Sequence, residues 1–139
     1  MRRWPDRLRH TLLFEAIAVT LVAVGGSLVL GHSAQTMGAL GLMFSGLAMT
    51  WNLAFNWMFD LWDRKYRDSA PRGVGIRIVH AALFEGGLLG AGIFLVAWWL
   101  ETTFWPSLAL NAGMSAFFLV YAFCYNWLYD IVFPVPRTP

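Results

Sequence analysis

Two glutamates lie inside long apolar stretches of this sequence, each five residues after a histidine. Glu15 ends the segment RLRHTLLFE, and Glu85 ends the similar segment RIVHAALFE. A charged side chain at the centre of a bilayer costs at least ~2.5–3.5 kcal/mol on insertion scales, so an intramembrane carboxylate is a functional candidate by default. Burial also favours the neutral form of a carboxyl group. We therefore predict that Glu15 accepts and releases protons, with Glu85 as a second such site or a structural counterpart.

The composition indicates a membrane protein. Of 139 residues, 58% are hydrophobic and 13% charged, and the mean hydropathy is +0.56. A transmembrane helix needs roughly 20 mostly apolar residues, and four segments qualify: about 11–31, 37–59, 77–100 and 105–130. The first resembles a signal peptide, but it contains Glu15 and has no small-x-small cleavage site, so we expect a retained helix. A single cysteine, Cys124, excludes an intrachain disulfide.

The basic residues predict the orientation of these segments. All ten Lys and Arg residues fall on one side of the four-span arrangement, so the positive-inside rule places both termini and the central loop in the cytoplasm. Because they flank apolar spans instead of forming a basic face, nucleic-acid binding is not expected. The Trp and Tyr residues near the span boundaries are typical of an interfacial belt in contact with lipid.

The sequence repeats at an interval of 70 residues, without a gap. This shift aligns Arg7, His10, Phe14 and Glu15 with Arg77, His80, Phe84 and Glu85, and NWMFD at 56–60 with NWLYD at 126–130. We predict a duplicated two-helix unit, with one hairpin in residues 1–70 and the other in 71–139. The expected fold is an all-α four-transmembrane-helix bundle made of two tandem parallel repeats, with both termini cytoplasmic.

Polar side chains follow the second and fourth segments. Ser45, Asn52, Asn56 and Asp60 fall within about 80° of arc on the second, and Ser115, Asn126 and Asp130 continue the pattern on the fourth. We expect the four carboxylates to surround a cavity open to the cytoplasm, with the two histidines near its mouth. These carboxylates are Glu15, Asp60, Glu85 and Asp130.

Structural roles stay open for most of these side chains. Asp60 and Asp130 could pair with Arg7 or Arg77 at helix ends. The histidines could pack at helix ends, relay protons or bind a metal, although a His-to-Glu spacing of five is wrong for two ligands on one helix face. The asparagines could bond neighbouring helices. Glycines 86, 87, 90 and 92 are predicted to allow close helix packing.

Four motifs in order resemble the proteobacterial antimicrobial compound efflux family, also described as bacterial transmembrane pair proteins. The resemblance covers nearly the whole chain. The motifs are Arg7-x-x-His10-x-x-x-Phe14-Glu15; Trp51-Asn52 with Asn56 and Phe59-Asp60; Arg77 and His80 with Phe84-Glu85-Gly86-Gly87; and Tyr121 with Tyr125-Asn126-Trp127 and Tyr129-Asp130.

The resemblance implies an inner-membrane, proton-coupled exporter of cationic biocides such as chlorhexidine, acriflavine, proflavine and benzalkonium, with short diamines as native substrates. It implies that Glu15 couples proton and substrate, that subunits can dimerise, and that the proton gradient drives transport without a cofactor. Aromatic rings at Phe14, Trp51, Phe55 and Phe59 fit this chemistry, because each cation–π contact contributes roughly 0.5–2 kcal/mol.

Several further residues are predicted to support transport. Those expected to bind or support substrate are Trp51, Asn52, Asn56, Phe59, Asp60, Glu85, Tyr121, Asn126 and Asp130. Those expected to relay protons or gate are Arg7, His10, Arg77 and His80. The main alternative is a membrane structural or assembly subunit that moves nothing. An enzyme or metal carrier would need convergent His, Cys and carboxylate ligands, and a passive channel would need a continuous polar lining.

Overall fold

The computed structural model describes residues 4–68 and 71–134, which form four α-helices. They are α1 (Trp4–Leu30), α2 (Ala34–Arg67), α3 (Val74–Trp99) and α4 (Phe104–Val132). All four are long and apolar enough to cross a membrane, so the all-α, four-span class is confirmed. The tandem repeat and the cytoplasmic termini stay predictions. Residues 2, 3 and 137, which carry part of the orientation argument, lie outside the described residues.

The helices extend beyond the apolar segments from which they were predicted. The largest difference is in α2, whose 34 residues span about 51 Å at 1.5 Å per residue. That length exceeds the ~30 Å hydrocarbon core of a bilayer. Its final turns contain Asp63 and Arg67, which form an i,i+4 ion pair that supports a helix outside hydrocarbon. Apolar content therefore located the spans but underestimated the helices.

Short connections join the helices. Gly31 ends the first helix with φ of +72°, a left-handed conformation that glycine adopts without a Cβ penalty. Ser33 caps the N-terminus of α2, because its Oγ accepts the Thr36 N–H at 3.1 Å. At the end of α3 the Leu100 N–H donates to the Val96 carbonyl, and Glu101 turns the chain with φ of +49°.

The chain divides into two compact units. Unit 1 contains residues up to Leu42 together with those from Ala112 onward, and unit 2 runs from Met43 to Asn111. In unit 1 the first half of α1 packs against the last half of α4. In unit 2 the last half of α2 packs against the first half of α3. The first helix of each predicted repeat thus pairs with the second helix of the other.

In each unit, a glycine lies at a close contact between two helices. A Cβ added to Gly41 would lie 3.3 Å from Val22 Cγ1 within unit 1. In unit 2 a Cβ added to Gly92 would overlap Asn111, which is 3% exposed. Positions 92 and 111 are 70 residues after positions 22 and 41, so the small and large residues are exchanged between the two pairs.

Candidate functional site

Three tyrosines of α4 form a hydrogen-bonded face in unit 1, here called the tyrosine face. They are spaced four residues apart, so they lie one above another on the same side of the helix. Each hydroxyl donates to α1. Tyr121 donates to the Phe14 carbonyl at 2.7 Å and Tyr125 to the His10 carbonyl at 2.8 Å. Tyr129 lies 2.9 Å from the Asp6 carboxylate oxygen Oδ1 and 3.3 Å from the Asp6 carbonyl. The tyrosines and Ala18 form a buried cluster.

His10 lies within this face and bonds to Asn126. The distance from His10 Nε2 to Asn126 Oδ1 is 2.9 Å. Asn126 Nδ2 donates to the Ala122 carbonyl at 2.8 Å. The rings of Tyr125 and Tyr129 meet the imidazole in T-shaped contacts, with centroids 5.0 and 4.6 Å away. The packing of α1 against α4 therefore brings together His10 and Asn126, two residues that were predicted separately.

Glu15 follows Phe14 at the edge of the same contact. It is partly buried and shares a helix face with Ala18 and Val22, which are 0% and 5% exposed. The Phe14 and Tyr121 rings of this contact have centroids 4.8 Å apart. A partly buried carboxylate thus lies at the edge of the contact between α1 and α4.

Two further residues of α1, Arg9 and Asp6, contact the tyrosine face, although the sequence did not predict them as site residues. Arg9 Nε donates to the Tyr129 hydroxyl at 3.0 Å, and Arg9 also forms an ion pair with Asp6. The guanidinium carbon lies 3.8 Å from the centroid of the Phe133 ring. The i,i+3 spacing of Asp6 and Arg9 was the available signal, but nothing local indicated their contact with α4.

Unit 2 has an aromatic face on α2 at the corresponding positions, here called the phenylalanine face: Trp51, Phe55 and Phe59. Trp51 Nε1 donates to the Phe84 carbonyl of α3 at 3.0 Å. The two phenylalanines have no hydroxyl to donate. A Cβ added to Gly87 would overlap the Trp51 indole, so glycine at this position is required for the indole to lie against α3.

His80 occupies in unit 2 the place that His10 has in unit 1. Its Nε2 is 3.0 Å from Asn56 Oδ1, and Asn56 Nδ2 donates to the Asn52 carbonyl at 2.8 Å. The Phe55 and Phe59 rings meet the imidazole in T-shaped contacts at 5.0 and 4.6 Å. The predicted His80, Asn56 and Phe59 therefore form one cluster, to which Asn52 contributes its backbone carbonyl.

Asp60 is paired with Arg72, whereas the sequence had left open a pair with Arg7 or Arg77. Arg72 Nη2 donates to Asp60 Oδ1 at 2.6 Å. Arg72 lies in the connection before α3, and from there its side chain reaches back to α2. Arg77 Nε instead donates to the Arg72 backbone carbonyl at 3.2 Å.

A second aspartate, Asp63, was missed by the sequence reasoning. It is 4% exposed and accepts bonds from Arg67 at 2.6 Å and from Arg72 at 3.1 Å. The hydrogen bonds to Asp60 and then Asp63 raise the pKa of the Arg72 guanidinium above its ordinary value. The Arg72 guanidinium also lies 5.3 Å from the centroid of the Phe59 ring.

Three other predicted site residues are exposed, in contrast to the partly buried Glu15. Glu85 lies on the exposed side of α3, Asp130 near the end of α4 and Arg7 in the second turn of α1. Glu15 and Asp130 belong to unit 1 and Asp60 and Glu85 to unit 2, so a cavity shared by all four carboxylates stays a prediction.

Two further expectations concern glycines and metal ligands. Gly87 and Gly92 make the close contacts predicted for them, whereas Cβ atoms at Gly86 and Gly90 would meet nothing within 4 Å. Across residues 4–68 and 71–134, no three His, Cys, Asp or Glu side chains are grouped to hold a metal ion.

The sequence matches the family model described as chlorhexidine efflux transporter at residues 2–65 and again at 72–135, an offset of 70 residues. It is 38% identical over 129 residues to a short-chain diamines transporter of Vibrio parahaemolyticus, covering 93% of this chain and 91% of that protein. A short-chain diamines transporter of Acinetobacter baylyi is 33% identical, with 91% and 88% covered. One of Acinetobacter baumannii is 32% identical, with 89% and 85% covered. No solved structure matches.

The four apolar helices and these similarities define a multi-pass membrane transporter and not an enzyme. The chain belongs to the chlorhexidine efflux transporter family, whose model matches 128 of its 139 residues in two blocks of 64.

Proposed function

We propose that the protein exports organic cations in exchange for protons across the bacterial inner membrane, with Glu15 as the group that both ligands share. The candidate substrates are chlorhexidine and related cationic biocides, and short-chain diamines. The family description and the names of the relatives support these two substrate classes. Both classes are cationic at neutral pH and need an anionic partner within the membrane.

The position of Glu15 is the observation that carries this proposal. It is a carboxylate in the middle of a transmembrane helix, partly buried, on the face that contains the buried Ala18 and Val22. Such a group is costly to keep charged in a bilayer. A proton or an organic cation each neutralises it, and the adjoining Phe14 and Tyr121 rings offer cation–π contacts to the cation.

Competition at one carboxylate explains how proton entry drives export. When Glu15 is protonated it loses its ionic attraction for the substrate, which is then released. When the proton leaves, Glu15 can bind the next substrate. For exchange across the membrane, these two states must prefer different conformations, since a ligand shifts a conformational equilibrium only through differential affinity. We include in the proposal a cytoplasmic location for both termini and a homodimeric assembly.

Proteoliposomes test this proposal directly. We would measure proflavine and putrescine transport together with internal pH for the wild type and Glu15→Gln across pH 6 to 9. We expect wild type to move protons opposite to substrate and Glu15→Gln to lose at least about tenfold in coupled exchange, because glutamine is isosteric but cannot ionise. Glu85→Gln, at the corresponding position of α3, is the matched control and should retain most of the exchange.

The outcomes separate the parts of the proposal. A Glu15→Gln variant that is folded and transports as wild type does would overturn the role of Glu15. Equal losses in both variants would mean that the two glutamates couple protons together. Substrate movement without any proton movement in the wild type would contradict exchange itself.

A further inference from the structure

The two histidine and asparagine pairs have a feature that fixes where the histidine protons lie. In both pairs the asparagine Nδ2 is 2.8 Å from a backbone carbonyl one turn earlier, Ala122 for Asn126 and Asn52 for Asn56. A backbone carbonyl can only accept a hydrogen bond. The amide group facing it must therefore be the NH2 group, which turns the Oδ1 atom toward the histidine.

This orientation determines the histidine tautomer. Oδ1 lies 2.9 Å from His10 Nε2 and 3.0 Å from His80 Nε2. Because Oδ1 is an acceptor, a bond at this distance requires a hydrogen on Nε2. In the neutral imidazole the other nitrogen, Nδ1, then has no hydrogen and can accept a proton.

We propose that Asn126 and Asn56 are positioning residues that hold His10 and His80 as Nε2–H tautomers, making Nδ1 the ring atom that takes up and releases a proton. The use of this step in transport rests on the proposed proton exchange. Protonation at Nδ1 leaves the Nε2–H bond to asparagine intact, since the imidazolium still donates from Nε2. Each histidine can therefore change its charge without breaking the bond between its two helices.

The surroundings of the two histidines differ in their ionisable groups. The rings that face His10 from α4 are the ionisable Tyr125 and Tyr129, and the ion pair of Arg9 and Asp6 adjoins Tyr129. The rings that face His80 from α2 are Phe55 and Phe59, which do not titrate, and the ion pair of Arg72 and Asp60 adjoins Phe59. Arg7 and Arg77 precede the histidines by three residues on their own helices.

Nitrogen-15 NMR of histidine-labelled protein in nanodiscs tests the assignment without any transport assay. The chain has three histidines, and His32, exposed in the connection between α1 and α2, serves as an internal reference. We expect His10 and His80 each to show a protonated Nε2 and a bare Nδ1 at alkaline pH, and His32 to show the tautomer mixture of a solvated imidazole. An Nδ1–H tautomer at His10 or His80 would overturn the proposal.

Reciprocal variants show whether the asparagines are responsible. Asn56→Leu should convert His80 to a tautomer mixture and leave the His10 signals unchanged, and Asn126→Leu should do the reverse. Asn56→Asp loses the bond to the Asn52 carbonyl but still offers an oxygen acceptor to His80, and should preserve Nε2–H there. If His80 keeps its tautomer in a folded Asn56→Leu variant, the positioning role is refuted. The unaffected histidine reports in each case whether the protein is folded.

The transport arm uses the pH profile of exchange. Asn56→Leu should displace the pH profile of proton exchange between pH 6 and 9. A purely structural asparagine would change the amount of folded protein and not the position of the profile, which would count against the proposal. Absence of proton exchange in the wild type would overturn the proposed function, whereas the NMR spectrum would still decide the tautomer.

Discussion

The tyrosine face and the phenylalanine face place the same histidine and asparagine pair in different surroundings. In unit 1, three hydroxyls of α4 donate to α1, those of Tyr121 and Tyr125 to backbone carbonyls and that of Tyr129 to Asp6. Among the described residues of unit 2, the Trp51 indole alone makes the corresponding bond from α2 to α3, because Phe55 and Phe59 have no hydroxyl. The spacing of the aromatic residues and the histidine distances are otherwise alike in the two units.

This difference concerns how firmly each helix pair is held. A typical intramolecular hydrogen bond contributes about 1 kcal/mol net, so the tyrosine face has an advantage of about 2 kcal/mol over the phenylalanine face before other contacts are counted. The contact between α2 and α3 is therefore expected to separate at lower cost than the contact between α1 and α4.

The largest effect on stability is expected at Gly92 and Asn111, where the small and large residues are exchanged relative to Val22 and Gly41 of unit 1. Gly92→Val should destabilise the protein by about 3 kcal/mol, because the new side chain overlaps the buried Asn111. Adding Asn111→Gly recreates in unit 2 the pair that Val22 and Gly41 form in unit 1. The double variant should recover at least half of the loss, measured as the free energy of unfolding in mixed micelles.

Gly90→Val is the control for this experiment, since a Cβ there meets nothing within 4 Å. It should cost far less than Gly92→Val. Equal losses in Gly92→Val and in the double variant would show that the two units do not use equivalent packing, which would weaken the case for the repeat.

The next effect tests the hydroxyl bonds by exchanging residues between the faces. Tyr125→Phe removes the bond to the His10 carbonyl and should destabilise unit 1 by about 1 kcal/mol. Phe55→Tyr adds a hydroxyl at the corresponding position of α2, directed toward the His80 carbonyl. It should stabilise the contact between α2 and α3 by a similar amount, measured by hydrogen exchange of the α3 amides.

If the contact between α2 and α3 opens during transport, Phe55→Tyr should also lower the rate at which protons are exchanged for substrate by several fold, whereas Tyr125→Phe should not. A slower rate in Tyr125→Phe and an unchanged rate in Phe55→Tyr would reverse the assignment of the more easily separated pair.

The sequence was sufficient to predict four spans, because apolar length is a local signal, and its repeated motifs suggested the functional candidates. The partners of those candidates were not local. A pair of Asp60 with Arg7 or Arg77 was one alternative, but the connection before α3 brings Arg72 onto Asp60. The 70-residue repeat aligns His10 with His80, yet it does not indicate that each histidine bonds to an asparagine of the other predicted repeat.

The aromatic residues show the same limit. Sequence reasoning treated Tyr121 and Trp51 as equivalent binding residues, which their alignment supports. Their contacts depend on the helix that faces them, since Trp51 needs Gly87 opposite the indole, whereas position 17 in α1 is an exposed isoleucine. Side-chain volume on a partner helix is a property of the packed pair and cannot be obtained from either segment alone.

The smallest effect on stability is expected from substitution of Arg72. This residue lies in the connection before α3, beside the phenylalanine face of unit 2, as Arg9 lies beside the tyrosine face of unit 1. The pKa of Arg72 in the folded protein is raised above the ordinary value of an arginine by its bonds to Asp60 and then Asp63. Stabilisation from a raised pKa is fully present below the unfolded value and is lost only as pH rises through the folded one. The contribution of Arg72 is therefore constant between pH 6 and 9.

Arg72→Gln should thus lower the thermal unfolding temperature slightly and by the same amount at pH 6, 7.5 and 9. The reduction should shrink in high salt, because the Arg72 side chain is 37% exposed and its ion pairs are screened. Arg9→Gln is the matched variant for unit 1. A reduction for Arg72→Gln that changes across this pH range would mean that the groups bonded to Arg72 themselves titrate there, and that the loop contact takes part in proton exchange.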